Sequence, residues 1–195
     1  APACSERFSP DAVAHLPPVA RKYLMHALAE GAPLATCARI TMSGSIKLDR
    51  GWAPFEAEQV LRWDRGFVWS GRVSMNGLPV TGYDRLVDGA GSMKWKLLGL
   101  FSVASADGPE IARSAAGRLH AEAMWIPAVL LDPSVSWSDE GGGRTLASFD
   151  AHGEHTELAL EIDDTGRVVS VSLPRWGDRN TGEFSYQPFG ADLSG

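Results

Sequence analysis

Cys37-Ala38-Arg39-Ile40-Thr41-Met42-Ser43-Gly44-Ser45-Ile46-Lys47-Leu48 is the stretch whose reading decides the fold. Its even positions are Ala, Ile, Met, Gly, Ile and Leu. Its odd positions are Cys, Arg, Thr, Ser, Ser and Lys. A period of two with apolar and polar residues in strict alternation predicts a β-strand with one dry face and one wet face. Before it the period is 3.6. Ser9-Pro10-Asp11 reads as a helix start, Pro17-Pro18 interrupts that helix, and Val19 to Ala29 continues with Ala20, Tyr23, Leu24, Ala27 and Leu28 on one face.

After it the alternation recurs. Phe55, Ala57, Gln59, Leu61 and Trp63 alternate with Glu56, Glu58, Val60 and Arg62, and Asp64-Arg65-Gly66 supplies a turn. Phe67, Trp69, Gly71, Val73 and Met75 alternate with Val68, Ser70, Arg72 and Ser74, ahead of the hairpin signal Asn76-Gly77. A less regular strand covers Val80 to Val87. Asp88-Gly89 then turns into a strand carrying Met93, Trp95 and Leu97 on one face. A second helix is expected from Gly108-Pro109-Glu110 to about Trp125, stopped by Pro127. Four short strands follow, at Val135 to Ser138, Thr145 to Asp150, Thr156 to Ile162 and Val168 to Leu173. Short connections make the sheet antiparallel, and a dry face needs a cover. The expected fold is therefore α+β: one curved antiparallel sheet of about nine strands, curled into a half-open barrel and covered by two helical segments. Gly44, Gly71 and Gly82 sit inside strands, where glycine allows a bend or a close approach.

The chain has 195 residues, enough for one core, and residues 1–195 are read as a single domain with a mobile N-terminus over residues 1–8. Hydrophobic residues make up 44% and charged residues 22%, a normal globular balance. The longest apolar stretch, Met124 to Leu131, is too short to span a bilayer and contains Pro127, so no membrane span is expected. A net charge of -6 with scattered basic residues argues against nucleic acid as a partner. Cys4 and Cys37 lack metal spacing and are read as free thiols; no signal peptide is visible, which favours the cytoplasm over export.

Several of these segments together carry a resemblance. They are Leu16-Pro17-Pro18-Val19-Ala20-Arg21-Lys22-Tyr23-Leu24, then Glu58 before Gly66-Phe67-Val68-Trp69, then Asp84 and Asp88-Gly89. Gly117-Arg118-Leu119-His120-Ala121-Glu122 and Trp125-Ile126-Pro127-Ala128 complete the set. In this order they resemble DUF6544, a family of bacterial domains of unknown function, over nearly the whole chain. Family members continue past the position of Gly195, which implies that the residues after Phe184 are an incomplete strand pair. The strand–helix order is also similar to the lipoprotein-carrier group, whose half barrels hold acyl chains under helices. That similarity is one of architecture, and a fold does not fix a function.

The candidate chemistry is sparse. Trp63, Trp69 and Trp95 fall on dry faces with Phe67, Met75 and Met93, as a filled core or as the wall of an apolar pocket. Asp84 shares a face with Val80 and Leu86, which implies a partner, a tuned carboxyl or a shifted register. Arg118 and Glu122 are four apart on one helical face, with His120 nearby: acid–base equipment or a surface pair. His152-Gly153-Glu154-His155 looks like a metal turn but lacks a third ligand at useful spacing, so no metal is expected. The sequence contains no nucleophile elbow, P-loop or dinucleotide fingerprint, so no cofactor is expected. The leading expectation is a protein that binds an apolar or amphipathic small molecule between sheet and helices. Trp69, Trp95 and Met93 would contact it, with Arg118, Glu58 or Asp84 at its polar end. The alternatives are a cofactor-independent isomerase, cyclase or hydrolase using Asp84 and Glu122 as acid and base, and a structural domain with a solid core.

Overall fold

The computed structural model of the chain describes residues 6–48, 51–178 and 182–194. Among these residues eleven strands form two antiparallel sheets. The first holds β1 (Cys37–Leu48), β2 (Gly51–Arg62), β3 (Gly66–Met75), β4 (Leu78–Val87), β5 (Ala90–Leu97) and β6 (Phe101–Asp107). The second holds β7 (Ser136–Gly141), β8 (Arg144–Ala151), β9 (Glu154–Ile162), β10 (Val168–Gly177) and β11 (Ser185–Asp192). In both sheets every strand pairs with its neighbours in sequence, and neither sheet closes on itself. The α+β class and the antiparallel sheet stand as read. The single half-open barrel of about nine strands does not, because residues 108–135 run as helix and 3-10 turns and interrupt the strand-to-strand connections.

The chain divides into two compact units, one over Cys37–Ala115 and the other over residues up to Thr36 together with those from Ala116 on. In the Cys37–Ala115 unit the β1–β6 meander has its dry face where the alternation placed it: Ala57, Leu61, Phe67, Trp69, Val73, Val80 and Leu86 are buried. The first turns of α2 (Pro109–Ala121) pack on this sheet at Gly91. A Cβ there would come within 2.4 Å of the Ala112 backbone, so only glycine lets helix and strand approach so closely.

In the other unit α1 (Pro18–Ala27) starts at a proline and buries Ala20, Tyr23 and Leu24. Pro17 supplies no side-chain cap; instead Asp139 Oδ2 of β7 accepts from the Val19 N–H at 2.9 Å. Tyr23 stands 6.3 Å from the Trp137 ring, and burial pushes its phenol well above the ordinary range. The second half of α2 contributes Leu119 and His120 to a core with Phe149, Leu158, Leu160, Val171 and Leu173. Helix α2 gives way to 3-10 turns at Glu122–Trp125 and Pro127–Leu131.

The N-terminal segment is anchored over its described part. Phe8 is buried, and Arg7 bridges to Pro33. Of the segment expected to be mobile, residues 1–5 lie outside the described residues. The segment after Phe184 includes β11, paired to β10 over eight residues from Ser185 to Asp192. Cys37 is a free thiol, and Cys4 lies outside the described residues.

Candidate ligand-binding site

The register of the first sheet sets its dry face out in rows. One row reads Ala38, Leu61, Phe67, Leu86 and Gly91. The next reads Ile40, Gln59, Trp69, Asp84, Met93 and Ala106, and the third Met42, Ala57, Gly71, Gly82, Trp95 and Ala104. The third row decides the site. Gly71 and Gly82 leave a strip of bare backbone across two adjacent strands, and the tryptophan rings lie over it. A Cβ on Gly82 would fall 2.6 Å from the Trp95 ring, and one on Gly71 would fall 2.9 Å from Trp69 and 3.2 Å from Trp95. Both indoles thus converge above Gly71, with ring centroids 5.5 Å apart and planes tilted by 51°. Phe55 extends the stripe at 6.1 Å from Trp69. A register shift in the β5–β6 pairing falls next to Trp95, where Val103 is the extra, unpaired residue on β6.

The polar groups of this face are placed by the same rows. Trp95 Nε1–H donates to Asp84 Oδ1 at 3.0 Å, a charge-assisted bond of about 2 kcal/mol. Trp69 Nε1–H points at Met42 Sδ at 3.2 Å, a weak acceptor. Gln59 is fully buried beside Trp69 in the next row. The flanking row is sealed: Leu61, Phe67 and Leu86 are at most 2% exposed. By contrast Asp84, Met93 and Trp95 are only half-buried. An apolar face with a sealed row and an accessible aromatic centre is a surface that can receive a further apolar group, with a carboxylate beside it.

Four of the expected residues, Trp69, Trp95, Met93 and Asp84, therefore stand together. Glu58 does not join them. It points to the wet face, is exposed, and pairs with Arg39 at 3.4 Å. There it lines an open trough of about 750 Å³ with Thr41, Glu56, Arg72 and Thr81. The strand alternation already put Glu58 opposite to Gln59, and parity governs. Arg118 and Glu122 belong to the other unit. Arg118 Nε donates to Glu122 Oε1 at 2.9 Å, and both side chains are largely buried, so the pair is an internal tie rather than a surface pair.

Two features of the second unit go beyond the sequence reading, which noted His120 only as a neighbour of Arg118 and Glu122. His120 is fully buried, with Nδ1 2.6 Å from Thr156 Oγ1, its ring 5.4 Å from Phe149 and 5.7 Å from His152. Burial first, and the His152 charge second, push its imidazole down to about 4, against smaller opposing effects of Glu154 and the Ala151 backbone. The second feature is an open trough of about 840 Å³ on the outer face of the five-stranded sheet, lined by the row Leu146, Ala159, Ser172 and Gly190 and by the cross-strand pair Pro174 and Pro188. The run Leu158-Ala159-Leu160 was the available signal, since Ala159 breaks the alternation of its strand and is buried on the outer side. Among the described residues no three His, Cys, Asp or Glu side chains are arranged to hold a metal ion.

The architecture and this patch define an α+β protein with an open antiparallel meander whose apolar face carries a tryptophan pair on a glycine strip. The chain belongs to DUF6544, a family of unknown function whose profile matches residues 6–195. No curated protein and no solved structure matches it.

Proposed function

We propose that the apolar face of the Cys37–Ala115 sheet binds an apolar or amphipathic small molecule. Its hydrocarbon part lies against Trp95, Met93 and the edge of Trp69, and its polar end reaches Asp84. The observation that carries this reading is the contrast in burial along one face. Leu61, Phe67 and Leu86 are closed off, while Asp84, Met93 and Trp95 stay half open. Core residues of a solid domain have no reason to leave an indole and a carboxylate accessible on the dry side of a sheet. Asp84 accepts and cannot donate when ionised, so the matching polar end is a donor such as a hydroxyl or an amine.

The acid–base alternative has less support. Glu122 is engaged by Arg118, and Asp84 already accepts from Trp95. Binding without turnover is the reading retained. Native mass spectrometry of the purified chain, followed by organic extraction, tests it. A co-purifying apolar molecule that is lost in Trp95→Ala is the expected result. An apolar molecule retained equally by Trp95→Ala would place the ligand elsewhere and remove the proposal.

A further inference from the structure

The wet face of the six-stranded sheet carries a charge pattern that repeats from row to row. Across β1 to β6 one row reads Thr41, Glu58, Ser70, Tyr83, Lys94 and Ser105. The next reads Ser43, Glu56, Arg72, Thr81, Lys96 and Ser102. Both rows put a glutamate on β2, a lysine on β5 and hydroxyls on the two outer strands. On the other side, the row Arg39, Val60, Val68, Arg85, Ser92 and Asp107 sets a cation on β1 and an acid on β6. In all three rows, therefore, an acid and a cation stand at equal distances from the midline between β3 and β4. A solvated face needs mixed charges but no such order. The face is accessible: Glu56, Glu58 and Lys94 are exposed.

We propose that this face is the contact of a homodimer, in which a second copy of the chain lies face to face with the first. The two-fold axis runs parallel to the strands, above the β3–β4 midline. It lays β2 over β5 of the second copy and β1 over β6. Glu58 then meets Lys94 of the second copy, Glu56 meets Lys96 and Arg39 meets Asp107, and each contact occurs twice. An axis across the strands would instead lay β2 on β2 and β5 on β5, glutamate against glutamate and lysine against lysine. The pattern thus favours one pairing and penalises its competitor. Shape agrees with charge. The open trough of about 750 Å³ on this face is lined by Glu56, Glu58, Thr41, Ser43 and Thr81, and the axis places the long Lys94 and Lys96 stems of the second copy over it. Six strands about 4.8 Å apart and three rows about 6.8 Å apart give roughly 600 Å² per partner, the low end of specific interfaces. Arg72 and Arg85 approach their own copies near the axis. Glu56 stands across from Arg72, while Arg85 donates to Ser92 at 2.8 Å and lies over the Tyr83 ring. An ionic contact of this kind is weak and salt-sensitive. It lies on the opposite side of the sheet from Trp95 and does not depend on a ligand there.

Sedimentation equilibrium of the full chain over a range of concentrations tests this. At low salt a monomer–dimer equilibrium is expected, weakened at least about tenfold in about 0.5 M sodium chloride. Glu56→Lys combined with Glu58→Lys should abolish the dimer, and so should Lys94→Glu combined with Lys96→Glu. Thermal stability should stay close to wild type in both, because all four side chains lie on the solvent face. An equimolar mixture of the two double variants should restore dimers, since each reversed half finds its opposite in the other chain. A wild type that stays monomeric at every concentration would overturn the proposal. So would dimers that either reversal leaves intact, or a mixture of the two variants that fails to associate.

Discussion

At the scale of the residue, His120 is the group whose surroundings have the clearest measurable consequence. An ordinary imidazole titrates near 6.5, and burial against Phe149, with His152 close by, holds this one down to about 4. Between those two values the unfolded chain binds a proton that the folded one refuses. Folding stability contributed by the neutral imidazole is therefore complete above about 6.5 and is lost as pH falls toward 4. The shift corresponds to roughly 3 kcal/mol. Urea unfolding measured across that window should show stability falling with acidification in the wild type, and a flatter profile in His120→Gln. An equally steep profile in the variant would contradict the assignment. The sequence set His120 beside Arg118 and Glu122 but could not show its burial, which is settled by the strands packed on the second half of α2. Parity along a strand was legible. It placed Trp69, Asp84 and Met93 on one face, and it also placed Glu58 on the other, where the structure has it. Gln59 passed unremarked because a polar residue on a dry strand face reads as noise until its burial is seen.

At the scale of the element, the strands with contrasting faces were readable and those without were not. β1, β3 and β4 sit close to where the alternation drew them. β6 escaped because Leu98 adopts a left-handed backbone, with φ of 54°, where turn chemistry favours Gly or Asn, and because Phe101, Ser102 and Val103 are all exposed, so no period of two is written there. β11 escaped because Pro188 and Gly190 interrupt it, which an edge strand tolerates. The glycines inside strands were legible as close-approach positions, and the structure separates them. At Gly82 an added Cβ meets the Lys94 carbonyl at 2.3 Å and the Trp95 ring at 2.6 Å, neither of which can retreat cheaply. At Gly44 it meets only a Phe55 ring edge at 3.3 Å on a half-open face. Gly82→Ala should therefore cost about 2–3 kcal/mol of stability, and Gly44→Ala should stay within about 0.5 kcal/mol of wild type. Equal costs in chemical unfolding would mean that Trp95 does not rest on the glycine strip.

At the scale of the whole molecule, the consequential departure from the sequence reading is the split of one meander into two sheets in two compact units. Hydrophobic period identifies strands and their faces, but it carries no information on which strands share a sheet once a helical connection intervenes. The candidate site accordingly draws on the first sheet alone, and Arg118 and Glu122 pair with each other in the second unit. Among the described residues no helix is long and apolar enough to cross a membrane. The central claim is that the half-open centre at Trp95 and Asp84 receives an apolar molecule. Titration with the neutral apolar probe N-phenylnaphthylamine, followed by the probe's own emission, tests it most directly. The account predicts saturable binding, weakened about tenfold or more in Trp95→Ala as a ring's burial is lost, and unchanged in Leu100→Ser with Phe101→Ser. Failure of the wild type to bind, or binding that Trp95→Ala leaves intact while the hairpin-tip variant abolishes it, would contradict the account.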